Sequence, residues 1–386
     1  MKVLYDHQVF TFQKFGGISR YFAQVISNLP ENVQTEIAIR YSNNEYIKNL
    51  QLTPEIEKLT NPIENFLPEI KFRGKRRIFE FINKFNPFKS IDPEIFNKSI
   101  SIELLKKQDF EIFHPTYYDD YFLEYIGNKP FVLTIHDMIH ELYPEMLKDT
   151  DAILRKSNLA TRAAHIIAVS EKTKRDIIEL LNVKEEKITV IYHACSIAKS
   201  DISSIIQTPN EYILYVGDRL FYKNFMFFVL AIQTLLNERK TLHVICTGRS
   251  FNNEEQTLIK KLGLEGQFLH FFVQESQFYE LYNKAKAFIF PSYYEGFGIP
   301  ILEAFEAKCP VILSNSSCFP EIAGEAAIYF EPKSKKQLVL AIERILEDQN
   351  FRQSLIEKGE KRIEAFSWMK SAQQTIDVYR KVLNSR

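Results

Sequence analysis

Short apolar runs alternate with amphipathic segments along nearly all of this 386-residue chain, and that alternation restricts the folds open to it. Val3-Leu4-Tyr5, Glu36-Ile37-Ala38-Ile39, Phe131-Val132-Leu133-Thr134-Ile135 and Ile166-Ile167-Ala168-Val169 read as strands. Helical patterns such as Ile18 to Leu29 and Glu171 to Leu181 lie between them. Strands that take turns with helices predict a parallel sheet with helices on both faces, an α/β class. The polar run Ser200 to Asn210 interrupts the pattern and reads as a linker. A second set follows: Tyr212-Ile213-Leu214-Tyr215-Val216, Leu242-His243-Val244-Ile245-Cys246, Phe288-Ile289-Phe290 and Pro310-Val311-Ile312-Leu313. The chain is also longer than one hydrophobic core usually serves. Two Rossmann-like domains, residues 1–200 and 211–366, are therefore expected to face a cleft at the carboxyl ends of their strands, where ligands collect. Residues 367–386, from Ser367-Trp368 to Leu383, read as one more amphipathic helix.

Charge and cysteine usage narrow the function classes. Lys plus Arg equals Asp plus Glu at 49 each, which argues against a nucleic-acid partner. Cys195, Cys246, Cys309 and Cys318 form no C-x-x-C pair and fit the reduced thiols of a cytoplasmic protein. The run Met1-Lys2-Val3-Leu4-Tyr5-Asp6 starts as a strand and lacks a signal-peptide core. No apolar stretch reaches the roughly 18 residues of a spanning helix. Residues 40 to 110 fit the alternation least well. Within them Lys71 to Lys89 holds seven basic residues against the single acid Glu80, interleaved with Phe72, Phe79, Phe81, Phe85 and Phe88. Such a segment reads either as a contact with an anionic membrane surface or as a solvated helix that packs its phenylalanines on the domain.

The chemistry concentrates in Pro291-Ser292-Tyr293-Tyr294-Glu295-Gly296-Phe297-Gly298-Ile299-Pro300-Ile301-Leu302-Glu303-Ala304. Glu295 leaves the carboxyl end of the apolar run, and Pro300 suits the first turn of a helix that carries Glu303. The glycines let backbone N–H groups approach a ligand, and a helix N-terminus favours an anion. Carboxylates for sugar hydroxyls beside amides for a diphosphate fit a sugar nucleotide. The loop Val216-Gly217-Asp218-Arg219-Leu220-Phe221-Tyr222-Lys223-Asn224 adds two cations between a strand and a helix. Arginine binds phosphate through paired hydrogen bonds and lysine acts as a point charge, so both stabilise a departing diphosphate; a surface loop with ordinary ion pairs is the plainer reading.

Three weaker signals complete the set. Phe15-Gly16-Gly17-Ile18 lies between the first strand and helix; it permits close backbone approach, or is simply a tight turn, and it is not the G-x-G-x-x-G fingerprint. His136-Asp137 closes a buried strand, and His136 reads as a substrate contact, a polar turn or, with His140, half of a zinc site. His114 closes another strand. Asp149-Thr150-Asp151 is read as the start of the helix Ala152 to Ala163, with a metal–diphosphate role as the alternative.

Together these residues resemble glycosyltransferase family 4, retaining enzymes of the GT-B fold, and are most similar to its branch that builds bacterial surface polysaccharides. The resemblance rests on Gly16-Gly17, His136-Asp137, Ser170 with Asp176, the Gly217/Arg219/Lys223-Asn224 loop, and Glu295 with Glu303. It implies that Glu303 holds the donor ribose, while Glu295 with Gly296, Phe297, Gly298 and Ile299 grips the donor sugar. Arg219 and Lys223 would neutralise the diphosphate, Val273 would read the base through its backbone, and His136 would touch the transferred sugar. The resemblance also implies no metal or other cofactor beyond the nucleoside-diphosphate sugar, and a carboxyl-terminal helix that crosses back to the first domain. It implies a glycan or lipid-linked glycan acceptor, as in O-antigen or capsule synthesis. One departure stands out: His193-Ala194-Cys195 occupies the place of the family's Asn-Gly-Val-type turn. The expected function is transfer of a hexose, mannose by the branch resemblance, by a protein on the inner face of the cytoplasmic membrane. A sugar-nucleotide epimerase, a phosphorylase of the same fold and a non-catalytic glycan-binding scaffold are the alternatives.

Overall fold

The computed structural model describes residues 1–50, 92–195, 197 and 207–385, so Lys71–Lys89 and most of the linker Ser200–Asn210 lie outside the described residues. Two compact units emerge: Met1–Thr134, Asp151–Ile166 and Thr375–Arg386 form the first, and Ile135–Thr150 and Ile167–Gln374 form the second.

In the first unit β1 (Lys2–Tyr5) lies between β2 (Gln34–Ile37) and β3 (Ile112–His114), all parallel. Val3, Leu4 and Tyr5 are fully buried, as expected of a parallel strand covered on both faces. A single parallel bridge pairs Phe113 with Phe131. Phe131 leads into β4 (Val132–Ile135), which with β5 (His165–Ala168) and β6 (Ile188–Val190) forms a sheet in the order β4-β5-β6. The boundary between the units falls inside β4 and β5.

The helix Gly17–Ser27 buries Tyr21, Phe22, Val25 and Ile26 on one face. Its N-cap Gly16 offers no side-chain oxygen, and Gln13 Oε1 instead accepts the Ser19 N–H at 3.1 Å. The helix Trp368–Asn384 runs from the second unit into the first. There its Tyr379 hydroxyl lies 2.8 Å from the Tyr5 hydroxyl and 2.6 Å from His114 Nδ1. His114 Nε2 lies 2.9 Å from Thr134 Oγ1, so both ring nitrogens are engaged inside the fold. Burial lowers the His114 pKa to about 3 and keeps the ring neutral.

The second unit contains a six-stranded parallel sheet of β7 (Tyr212–Tyr215), β8 (His243–Cys246), β9 (Phe268–His270), β10 (Phe288–Phe290), β11 (Val311–Ser314) and β12 (Ala327–Phe330), ordered β12-β11-β10-β7-β8-β9. The helix Phe225–Glu238 sets Phe228, Ile232 and Leu235 into a core shared with Leu338 and Ile342 of the helix Lys335–Glu347. Strand order reverses between β7 and β10. At such a switch point the helices on either side diverge to opposite faces, which opens a crevice at the strands' carboxyl ends. The loops that leave β7 and β10 meet there, with the Tyr293 N–H donating to the Tyr222 carbonyl at 2.7 Å. Strand β12 and the helix Gln349–Ile363 add to the elements read from the sequence. Cys246, Cys309 and Cys318 are buried and Cys195 partly so, all as free thiols. Among the described residues no helix is long and apolar enough to cross a membrane.

The buried His114 gives the fold an acid-sensitive component. Its folded pKa lies below the ordinary value, so below pH about 6.5 the unfolded chain takes up a proton that the folded chain refuses. That stability is complete above pH about 6.5 and falls as the pH drops towards about 3. The expected loss is on the order of 1–2 kcal/mol between pH about 6.5 and about 5, read from chemical denaturation curves. His114→Gln should flatten that part of the slope while lowering stability at neutral pH.

Candidate active site

The β7 loop starts at Gly217, whose φ of +108° suits glycine alone. A single 3-10 turn, Phe221–Lys223, follows, and Asn224 (φ +57°) turns the chain into the helix Phe225–Glu238. Lys223 closes that turn and reaches the β10 loop, with Nζ 2.6 Å from Glu295 Oε1. Ser292 Oγ donates to the same oxygen at 2.9 Å. Side-chain exposures of 16% and 12% leave this ion pair mostly out of water, where its Coulomb attraction is strong. An ammonium has three donors, so Lys223 keeps two for another acceptor. Among the described residues, Glu295 Oε2 has no hydrogen-bond partner.

The backbone around Glu295 is held from behind. Ser317 Oγ donates to the Glu295 carbonyl at 2.6 Å, and Ser170 Oγ and Thr173 Oγ1 donate to the Gly296 carbonyl at 2.7 and 3.2 Å. The Cys318 thiol lies 3.1 Å from the Phe297 carbonyl. In a planar trans peptide the carbonyl and the next N–H point in opposite directions. Fixing three successive carbonyls therefore aims the N–H groups of Gly296, Phe297 and Gly298 the other way. Among the described residues, these amides and that of Ile299 make no hydrogen bond. Gly298, at φ +91°, then starts the helix Ile299–Glu306, with Pro300 in its first turn. The result is a run of amides at a helix N-terminus, suited to an anion.

Ser170 and Asp176 thereby acquire a physical role. Ser170 caps the helix Glu171–Leu181 by accepting from the Thr173 N–H at 3.0 Å while it clasps Gly296. Asp176, buried and ion-paired with Lys172, accepts from the Tyr294 hydroxyl at 2.7 Å. The sequence reading did not single out Ser317 and Cys318, which hold the backbone of Glu295 and Phe297. Their signal was present: polar residues crowd the point where the apolar strand β11 ends.

His136 comes to the same loop. A Cβ on Gly296 would sit 1.7 Å from the His136 carbonyl oxygen, so the strand exit and the loop are in backbone contact. The His136 ring stacks on His193, with centroids 5.7 Å apart and planes at 22°. His193 also meets Phe297 edge-on at 4.9 Å and faces Trp368 at 5.9 Å. Its burial lowers its pKa to about 3, which leaves a neutral ring.

Glu303 sits midway along the helix Ile299–Glu306, buried, and accepts from the Tyr282 hydroxyl at 3.1 Å. Burial first, and the adjacent carboxylate second, raise the Tyr282 pKa well above its ordinary value. Arg219 lies elsewhere in its loop. Its guanidinium bonds Glu255 at 3.1 Å, the Thr247 carbonyl at 3.0 Å and the Arg249 carbonyl, and packs against Phe225 and Phe251. It thus ties the β7 loop to the β8 loop. Val273 is half-buried just beyond β9, and Gly16 and Gly17 belong to the first unit. The helix Thr150–Arg162 starts inside Asp149-Thr150-Asp151. Among the described residues no three His, Cys, Asp or Glu side chains are grouped to hold a metal.

Parallel sheets flanked by helices, one of them with a switch point, are those of a glycosyltransferase of GT-B architecture, two Rossmann-like domains in one chain. Sequence comparison agrees. Residues 15–199 match the family described as Glycosyltransferase Family 4, and residues 196–362 match Glycosyl transferases group 1. The chain belongs to glycosyltransferase family 4. It is 29% identical over 270 residues to the O-antigen chain mannosyltransferase B of Escherichia coli, covering 64% of this chain and 70% of that one. It is 33% identical over 218 residues to the O-antigen chain mannosyltransferase RfbU of Salmonella typhimurium, covering 55% and 60%. Its fold matches the crystal structure of Anabaena HepE in complex with UDP-glucose, with a TM-score of 0.70 at 15% identity over 100% of both chains.

The contact between Gly296 and His136 yields a direct test. Gly296→Ala places a methyl inside a backbone carbonyl's van der Waals shell, an overpacking expected to cost about 1–3 kcal/mol or more. A melting-temperature drop and loss of turnover are expected. Gly266→Ala, whose methyl would meet nothing within 4 Å, should leave both nearly unchanged.

Proposed function

We propose that this enzyme is a retaining hexosyltransferase that moves mannose from its nucleoside diphosphate to a lipid-linked glycan destined for the cell surface. The observation that carries this is the run of outward N–H groups at Gly296–Ile299 beside the Lys223–Glu295 pair. The mannosyl preference and the surface-glycan acceptor are supported by the two O-antigen mannosyltransferases to which the chain is similar. UDP-glucose in the structurally similar HepE supports a nucleotide-sugar donor.

Residues 211–366 take the donor, to which Gly16 and Gly17 also contribute, and residues 1–200 take the acceptor; the helix 367–386 returns to the amino-terminal domain. As the bond between the sugar's anomeric carbon and the diphosphate oxygen breaks, negative charge grows on the departing phosphate. The four amides and the two spare Lys223 donors meet that charge, and Arg219 contributes through the donors that its three loop bonds leave. These interactions are strongest when the charge is fully developed, so they accelerate the step rather than merely tighten binding. Glu295 Oε2 accepts a sugar hydroxyl, Glu303 accepts from the ribose, and the Val273 backbone reads the base. His136 borders the anomeric carbon, and the departing phosphate takes the acceptor hydroxyl's proton. The stabilising charges all belong to the protein, so the step runs without a metal. The enzyme works at the inner face of the cytoplasmic membrane, with the basic segment Lys71–Lys89 as its contact to anionic lipid.

Lys223→Ala and Glu303→Ala should each fold normally and lose about 100- to 1000-fold in transfer, the scale of one well-placed transition-state contact. Release of nucleoside diphosphate from mannose nucleotides in the presence of a lipid-linked glycan acceptor measures this. Wild-type turnover in both variants overturns the assignment, and conversion of the donor without acceptor favours an epimerase.

A further inference from the structure

Phe221 opens the 3-10 turn that ends in Lys223, and its ring is 57% exposed. A lone exposed phenylalanine needs no explanation in itself. This one, however, is the middle of three rings in contact. Tyr143, from the segment after β4, meets it edge-on with centroids 6.4 Å apart. Tyr293, from the loop that carries Glu295, lies 6.1 Å away with planes at 36°. All three belong to the second unit. Burial first, and the neighbouring Tyr293 phenol second, raise the Tyr143 pKa above its ordinary value, so the two phenols sense one another across the Phe221 ring. Among the described residues neither phenol hydroxyl makes a hydrogen bond.

The cluster is tied to the Lys223–Glu295 pair from both sides. Phe221 and Lys223 share one turn, and a 3-10 helix rises about 2.0 Å per residue, so about 4 Å separates them along its axis. Tyr293 stands two residues before Glu295, and its N–H donates to the Tyr222 carbonyl at 2.7 Å. The Lys223 and Glu295 side chains are mostly out of water, whereas Phe221 opens to it. The three rings thus form a step on the solvent side of the ion pair.

We propose that Phe221, flanked by Tyr143 and Tyr293, is the platform for the sugar that receives the transferred hexose, the terminal residue of the acceptor glycan. The inference rests on the transfer reading above and deepens it, adding Phe221 and Tyr293 to the residues that take the acceptor. A pyranose offers apolar C–H groups on its faces and hydroxyls around its edge. An exposed aromatic face covers the first, and phenol hydroxyls without partners answer the second. A lipid chain would cover the ring and leave both hydroxyls unanswered.

The test is saturation-transfer NMR on the full chain, in the presence of whichever of GDP and UDP it binds. The probes are methyl α-mannoside, methyl α-galactoside, methyl N-acetyl-β-glucosaminide and octyl α-mannoside. At least one methyl glycoside should receive saturation from the aromatic protons of the wild type. Phe221→Ala should abolish that transfer and Phe221→Trp restore it. Melting temperature and calorimetric nucleotide affinity should stay at wild-type values in both, because the ring is exposed. With that glycoside as acceptor, the alanine variant should raise the acceptor KM roughly 2- to 12-fold and leave the donor KM unchanged, the scale of one aromatic contact. An acceptor KM equal to wild type in Phe221→Ala overturns the platform. So does a matching loss of nucleotide affinity in that variant, which makes the ring a prop for the Lys223 loop. Saturation confined to the octyl chain assigns the rings to lipid and overturns the sugar platform. A wild-type chain that binds neither nucleotide overturns the donor site itself; one that binds nucleotide and no methyl glycoside overturns the platform alone.

Discussion

The loop proposed to hold the donor depends on carbonyls that are tied down. A glycine-rich turn left to itself samples many conformations, and its amides would point in many directions. Here Ser317, Ser170, Thr173 and Cys318 occupy the carbonyls of Glu295, Gly296 and Phe297, and peptide planarity does the rest. Preorganised dipoles of this kind need no reorganisation when charge appears on a leaving group, which is why they stabilise a transition state so well. The donors come from two places: the helix after β5 and the segment after β11. In both places the side chains fix the direction of the loop's peptide groups.

Glycine at position 296 serves a second constraint, that of distance. The loop can rest on the His136 carbonyl because no Cβ intervenes. Ile135–Thr150 belongs to the second unit although β4 begins in the first. A residue at a strand end and a loop some 160 positions later are thus brought into register by one missing methyl group. The Tyr294–Asp176 bond reinforces the same register from the neighbouring helix.

Much of this was legible in the sequence because it is local. Strand β7, the glycine after it and the helix beyond appear in order as apolar run, Gly217 and amphipathic pattern. Pro300 announced the helix that follows Gly298. What stayed hidden depends on partners distant in sequence. Arg219 looks like a free cation in its loop, yet Glu255, 36 residues later, sits 3.1 Å away and draws it into the fold. Lys223 and Glu295 were expected to serve separate parts of a donor, and the structure joins them as a pair. Spacing along the chain carries no signal for either bond. Strand β12 escaped notice for a different reason: Ala327-Ile328-Tyr329-Phe330 is only four residues long, too short for its periodicity to separate a strand from a helix.

The His193-Ala194-Cys195 departure is explained by packing. Where the family has an asparagine and a glycine, this chain inserts a ring between His136, Phe297 and Trp368. A charged imidazolium there would lie between aromatic faces with little water, and burial keeps the ring neutral instead. Neutral, it behaves as one more aromatic side chain, holding His136 on one side and the donor-loop phenylalanine on the other. The amides of Gly296–Ile299 and the Lys223–Glu295 pair are fixed by other residues, so the substitution leaves them in place. Its influence falls on the orientation of His136 instead. In this chain the altered turn and the expected sugar contact are one packing unit.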